Sequence, residues 1–187
     1  MKVIALYNLK GGVGKTAAAV NLAYLSARDG KATLLWDLDP QGAASWCLEI
    51  DPRLKGGRKA LLRNKKPVYD LIKPTAYDNL ELLPSDFSNR RLDLELSEKT
   101  LFDEFLAHED LPRLRTLAFY SMVDRRKKLH RNLVDARHEG RYLFTTVPYA
   151  GDIERMAERR APVAEFAPRS AAARAYESLW GEVREFI

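Results

Sequence analysis

Cysteine and histidine are nearly absent. The chain of 187 residues has one cysteine, Cys47, and three histidines, His108, His130 and His138. A lone thiol cannot form an internal disulfide, so burial must hold the fold, and a reducing, cytoplasmic setting is expected. Cys47 reads as a small core residue. The three histidines have no Cys/His spacing that suits zinc. No apolar run approaches the roughly 20 residues that a membrane-spanning helix needs, so no membrane insertion is expected. The apolar stretch at the N-terminus is short and runs straight into glycines, unlike a secretory signal. Nothing resembles a nucleophile elbow or a Ser-His-Asp set. There is no internal repeat. Hydrophobic residues make up 46% and charged residues 30%, which suits one soluble globular domain over 1–187 with its own core.

Charge is modest in sum and uneven in place. The net charge is +5, yet residues 113–160 alone carry twelve Lys/Arg against six Asp/Glu. A second basic run, Arg53, Lys55, Arg58, Lys59, Arg63, Lys65 and Lys66, contains no acid. Such patches suit a polyanion or a solvated face equally well.

The strongest local signal is Lys10-Gly11-Gly12-Val13-Gly14-Lys15-Thr16. An apolar run, Val3 to Tyr7, leads into it and an Ala-rich run, Ala17 to Ala27, leads out. Strand, glycine loop and helix are the setting of a phosphate-binding loop. The glycines let backbone N–H groups turn towards an anion, and the helix N-terminus adds its dipole. Lys15 reaches for the β- and γ-phosphates and the Thr16 hydroxyl for Mg²⁺ in such a loop. Leu9 stands where the usual pattern begins with glycine, and a second lysine, Lys10, opens the loop instead.

Further along, residues 2–9 predict a buried parallel strand and 15–28 its crossover helix, stopped by Gly30. Ala32 to Trp36 predicts the next buried strand, ending at Asp37-Leu38-Asp39-Pro40-Gln41. Strand ends in an open α/β sheet share one edge, which places Asp37 and Asp39 beside the glycine loop. Short segments follow: a helix at Val68 to Ile72 and a strand at Leu80 to Pro84. An amphipathic helix is expected over 88–107 and a strand over Leu114 to Met122. Arg125 to Arg131 then opens a helix whose apolar face is Leu129, Leu133 and Ala136. A strand at Tyr142 to Val147 and a basic helix at Ile153 to Arg160 come next. Ala172, Tyr176, Leu179, Val183 and Phe186 recur at helical spacing, which predicts a C-terminal helix packed on the sheet. Trp36, Trp46 and Trp180 read as core, and His130 and His138 as exposed on a basic helix.

The lysine-first motif K-G-G-V-G-K-T resembles the deviant Walker A loop of the ParA/MinD family, ATPases that position plasmids, chromosomes and other cargo. Asp37 to Gln41 resembles the family's switch I, and Asp78 to Leu96 and Pro162 to Ser170 are similar to later family segments. The resemblance implies an α/β fold: a P-loop NTPase-like three-layer sandwich with a mostly parallel sheet and helices on both faces. ATP and Mg²⁺ are the implied cofactors. Lys10, Gly11, Gly12, Val13, Gly14, Lys15, Thr16 and Ala17 are the implied nucleotide contacts, although the family usually has a hydroxyl residue where Ala17 stands. Lys10, Lys15 and Asp39 take the catalytic roles, with Lys10 reaching a partner's phosphates across a homodimer. Thr16 and Asp39 lie at the metal, and Asp39 orients the attacking water. Met122 and Pro148 fall on the adenine side. The implied dimer binds DNA non-specifically through Arg125, Arg126, Lys127, Lys128, Arg155, Arg159 and Arg160, which would place it on the nucleoid, and a partner protein stimulates slow hydrolysis.

One family element is not found. A Walker B strand ends in Asp followed by x-Pro-Pro, and none of Asp70, Asp93, Asp124 or Asp135 has that sequel. The shortfall falls near 105–113, which reads as an internal deletion. It leaves a second expectation, a nucleotide- or DNA-binding relative without turnover.

Overall fold

The computed structural model describes residues 1–52, 68–85, 117–136 and 142–187. The basic run at 53–66, the helix expected over 88–107, the junction near 105–113, and His108 and His138 lie outside the described residues.

Helix α1, Lys15–Arg28, occupies the expected span. Alanine and leucine favour it intrinsically, and its end is a Schellman turn. Gly30 adopts φ +79°, its N–H donates to the Ala27 carbonyl at 2.8 Å, and the Lys31 N–H donates to the Ser26 carbonyl at 3.2 Å. Strand β1, Thr33–Trp36, follows at once. A short helix α2, Ala43–Cys47, a 3-10 turn, Val68–Leu71, and strands β2, Lys73–Pro74, and β3, Leu80–Leu83, complete the first half. β1 pairs with β3 in parallel, Thr33 opposite Leu80 and Trp36 opposite Leu83, and β2 lies antiparallel on the far side of β3. Pro74 sits on this outer strand, where its missing N–H breaks no central ladder.

The second half has strands β4, Ala118–Val123, and β5, Tyr142–Pro148, joined through helix α3, Lys128–Asp135. They form a second, parallel pair. Three single-turn helices, α4 Gly151–Glu154, α5 Met156–Arg159 and α6 Val163–Phe166, lead to the long helix α7, Ala171–Val183, and a final 3-10 turn, Arg184–Phe186. Ser170 caps α7, its hydroxyl accepting the Ala173 N–H at 3.0 Å.

One apolar cluster joins both strand groups. Leu80 and Leu82 from β3, Leu143 and Val147 from β5, Val20 and Leu25 from α1, and Ala172, Tyr176 and Leu179 from α7 are all buried in it. Truncating a fully buried leucine such as Leu179 to alanine costs about 2–5 kcal/mol by lost transfer energy and cavity formation. The buried Asn21 ties the layers with polar bonds: its Nδ2 donates to Ala17 O at 2.7 Å and its Oδ1 accepts the Val163 N–H at 2.9 Å. At the other end, the Trp180 indole N–H donates to Asp29 Oδ2 at 2.8 Å.

Several expectations need correction. Residues 2–9 form no strand, and Val3, Ile4, Tyr7 and Leu9 are exposed. An apolar run becomes a strand only with a ladder beside it, and among the described residues no strand pairs with this segment. β1 is not buried on both faces: Leu34 and Trp36 are about half exposed. Trp46 is also half exposed, so of the three tryptophans only Trp180 is core. Ile153 to Arg160 forms two single-turn helices rather than one helix. The apolar face of α3 is not buried among the described residues: Leu129 and Leu133 are exposed. His130 is half-buried, and its Nδ1 accepts the Asp124 N–H at 3.0 Å.

Candidate functional site

The glycine loop is built by backbone conformation. Gly12 and Gly14 have φ of +70° and +85°, the left-handed region that costs other residues about 1–2 kcal/mol. Gly14 is the N-cap of α1, and its carbonyl accepts the Ala18 N–H at 2.9 Å. The N–H groups of Lys15, Thr16 and Ala17 precede that first helical bond, so they are the helix's open donors. A Cβ placed on Gly11 or Gly12 would meet nothing within 4 Å, so the backbone faces open space there. Lys15 Nζ donates to the Lys10 carbonyl at 3.1 Å and arches over the loop. The Lys10 N–H donates to Asn8 Oδ1 at 2.9 Å.

A second segment closes on this loop from the end of β1. Asp37 is buried, and its two oxygens accept three backbone N–H groups: Asp39 at 3.2 Å, Ala44 at 3.2 Å and Ser45 at 3.4 Å. One carboxylate thereby fixes the strand end to the N-terminus of α2. Burial raises its pKa against the pull of these donors. Asp39 is exposed, its Oδ1 accepting the Gln41 N–H at 2.9 Å. Gly42 at φ +63° lets the chain turn into α2, where a side chain would stand 3.2 Å from the Ser85 carbonyl.

The two segments face a cleft of about 470 Å³. Gly11, Gly12, Val13, Gly14, Lys15, Thr16, Ala17, Asp39, Met122 and Pro148 all line it, so the residues expected from the phosphate loop, the switch and the base side share one cavity. Lys10 is exposed and is not among the lining residues. Sequence reasoning missed Ser121, Tyr149, Ala150, Ile153, Glu154 and Tyr176, which complete the wall. Ser121 is the neighbour of Met122, and its Oγ lies 3.2 Å from where a Gly14 side chain would begin. Tyr176 belongs to the buried face of α7, where helical spacing marks it as core and gives no hint of a cleft. Burial raises its phenol pKa. The Tyr149 hydroxyl donates to Glu154 Oε1 at 2.7 Å, which raises its own pKa. Met122 stands at φ +58°, a strained value for a side-chain-bearing residue, beside an irregular register between β4 and β5.

The basic residues are divided. Arg126 grips Asp124 through Nε at 2.9 Å and its second nitrogen at 3.0 Å, which holds the Asp124 carboxyl down at about 2. Arg155 pairs with Asp152 and lies over the Phe166 ring. Arg160 is engaged by Trp46 and Glu49. Arg125, Lys127, Lys128 and Arg159 are exposed without a carboxylate partner among the described residues. The described residues hold no group of three or more His, Cys, Asp or Glu that could chelate a metal by themselves. A divalent ion in this cleft would therefore rest on Thr16, Asp39 and its ligand's own oxygens, which is the chemistry of Mg²⁺ held by phosphates. The open backbone cradle and the helix N-terminus fit that pairing.

The chain is similar to known proteins. A family model described as an AAA domain matches residues 1–124. The sporulation initiation inhibitor protein Soj of Bacillus subtilis is 40% identical over 96 residues, 51% of this chain and 38% of that protein. The chromosome-partitioning ATPase Soj of Thermus thermophilus is 49% identical over 82 residues, 44% of this chain and 31% of that protein. The chain thus spans well under two thirds of these relatives' length. The crystal structure of the cell division ATPase MinD from Pyrococcus furiosus superimposes with a TM-score of 0.67 over 97% of this chain and 98% of that one, at 19% identity. That likeness establishes an α/β P-loop NTPase fold, and the family model, which covers most of the chain and includes the lysine-first glycine loop, shows with these relatives that the protein belongs to the ParA/MinD family.

Proposed function

We propose that the protein binds Mg·ATP in the cleft between the glycine loop and Asp39, dimerises on binding, and hydrolyses ATP slowly in a cycle of DNA-dependent positioning. The observation that carries this reading is the single cleft that gathers residues 11–17, Asp39, Met122 and Pro148. Backbone N–H groups of residues 12–17 cradle the phosphates, Lys15 leaves the Lys10 carbonyl for the terminal phosphates, and Thr16 and Asp39 face the metal. Bound Mg²⁺ would neutralise charge on the phosphate oxygens. Asp39 places a water against the terminal phosphate, since phosphoryl transfer depends chiefly on placement and electrostatics. Met122, Pro148 and Tyr149 flank the base. Lys10, exposed beside the cleft, reaches a second copy's nucleotide. DNA meets the exposed Arg125, Lys127, Lys128 and Arg159, and a stimulating partner protein resets the cycle. The names of the Thermus Soj and Pyrococcus MinD proteins, both called ATPases, support the reading.

A second reading, nucleotide binding without turnover, draws on residues 2–9. Among the described residues these precede the loop without pairing in a sheet, so on that side the loop is held by the packing of Leu6 on the core and not by a strand. A fluorescent ATP analogue with Mg²⁺, followed by phosphate release, separates the two. Binding that is lost in Lys15→Ala, with turnover that is lost in Asp39→Ala, is the expected result. Binding without turnover favours the second reading. No binding by the unaltered chain overturns both.

A further inference from the structure

The two walls of the cleft come from distant parts of the chain. Asp39 stands on the loop between β1 and α2, whereas Pro148, Tyr149, Ile153 and Glu154 stand at the end of β5 and on α4. The two walls are also bonded to each other where α2 packs on α5. The Trp46 indole N–H, on α2, donates to the Ala157 carbonyl at 2.7 Å, on α5. Arg160 answers from the other side: its Nε donates to the Trp46 carbonyl at 3.2 Å, and its guanidinium lies 4.5 Å from the centre of the Trp46 ring. Glu49, just beyond α2, pairs with the same guanidinium at 3.7 Å.

Two features mark this contact as more than packing. Trp46 is 55% exposed, so its place is set by directed bonds rather than by burial. Arg160 ends α5 in a left-handed backbone at φ +51°, its N–H donating to the Met156 carbonyl at 2.8 Å, and this cap carries its guanidinium onto the Trp46 ring, the Trp46 carbonyl and Glu49. The other end of α2 is fixed by Asp37, whose carboxylate also holds the Asp39 backbone. A continuous path therefore runs from Asp39 through Asp37, α2, Trp46 and Arg160 to α5, α4 and Glu154.

We propose that Trp46 and Arg160 are positioning residues that set the separation of the cleft's two walls, and through it the placement of Asp39 at the terminal phosphate. The inference rests on the Mg·ATP reading above. It also removes Arg160 from the residues that face DNA.

The test uses the full chain, Mg²⁺ and fluorescent analogues of ATP and ADP, with the unfolding midpoint of each variant measured without nucleotide. Trp46→Phe keeps the stacked ring and loses the indole bond to Ala157, and Arg160→Ala removes the guanidinium's contacts with Trp46 and Glu49 and leaves that bond. ATP affinity should fall about tenfold in Arg160→Ala and less in Trp46→Phe, the scale on which small misplacements of a binding wall act. ADP affinity should fall less than ATP affinity, because the wall that shifts carries Asp39. The double variant should lose more than either single variant, because each removes a different link between the walls. Equal losses for ATP and ADP, or ATP affinity within twofold of the unaltered chain in a folded variant, overturn the clasp while leaving the nucleotide site intact. If Arg160→Ala does not fold, Trp46→Phe decides by the same ATP-to-ADP ratio. An unaltered chain that binds neither analogue overturns the Mg·ATP reading, and the clasp's role with it.

Discussion

Asp37 accepts the backbone N–H of Ala44 at 3.2 Å from a position only 6% exposed. The bond makes a strand-end carboxylate the cap of the helix that follows. Asp37→Ala should cost about 2 kcal/mol in a urea unfolding series, because it leaves buried N–H groups without an acceptor. A cost under half that would show that water replaces the carboxylate.

The same carboxylate gives a pH signature. Burial raises its folded-state pKa above the unfolded value. The folded protein then binds this proton more tightly than the unfolded chain does. Its contribution to stability is fully present below the unfolded pKa and is lost as pH rises through the folded one. Asp37→Asn cannot titrate. The stability of the unaltered chain minus that of the variant should therefore decline with rising pH across that acid window. A difference that stays level, or climbs, would rule out the assigned direction.

Ser45 presents the opposite problem. Among the described residues its buried hydroxyl has no hydrogen-bond partner, although its N–H donates to Asp37. A buried unsatisfied polar group costs about 1–3 kcal/mol, and alanine removes it while keeping the helix. Ser45→Ala should raise the thermal midpoint by a few degrees, in line with a gain of about 1 kcal/mol. A lowered midpoint would mean that the hydroxyl is satisfied in solution.

The basic residues should differ in their effect on DNA binding. Among the described residues Lys127 and Lys128 have no carboxylate partner, whereas Arg126 is clamped to Asp124 and Arg160 to Trp46 and Glu49. Each phosphate contact contributes about one unit to the slope of log affinity against log salt. Lys128→Ala should flatten that slope by about one unit, and Arg126→Ala by clearly less. Equal changes would place both cations on the phosphates.

Much of the site is legible in the residues because its information is local. The glycine loop, the span of α1 and the Gly30 turn follow from neighbours within a few positions, and so does the adjacency of Asp39, given the strand-edge rule. What fails depends on distant partners. Val3 to Leu9 has the composition of a strand, but a strand is made by its neighbour's hydrogen bonds. Trp46 has the composition of core, but Arg160, far along the chain, holds it at the surface. Met122 was placed by resemblance, yet no residue type announces its left-handed backbone. Tyr176 was found by helical spacing as a core residue, and only the assembled walls show that it also borders the cleft.

Ser121 stands where a side chain on Gly14 would reach, so the cost of adding one can be split into two parts. Gly14 needs φ +85°, and a side chain there would begin 3.2 Å from Ser121 Oγ. Gly14→Ala should therefore lose stability twice, by about 1 kcal/mol or more for the left-handed backbone and by a further amount for the crowded hydroxyl. Ser121→Ala alone should change little. In the Gly14→Ala background it should recover the crowding part and leave the backbone part, so the two substitutions would not add. Urea unfolding of the four proteins measures this directly. Strict additivity would mean that the loop moves away from β4 to admit the methyl group, and analogue affinity would then fall in Gly14→Ala whether or not Ser121 is present. Recovery of stability without recovery of affinity would instead place the whole binding defect in the backbone of the loop, where the N–H groups that face the phosphates are set.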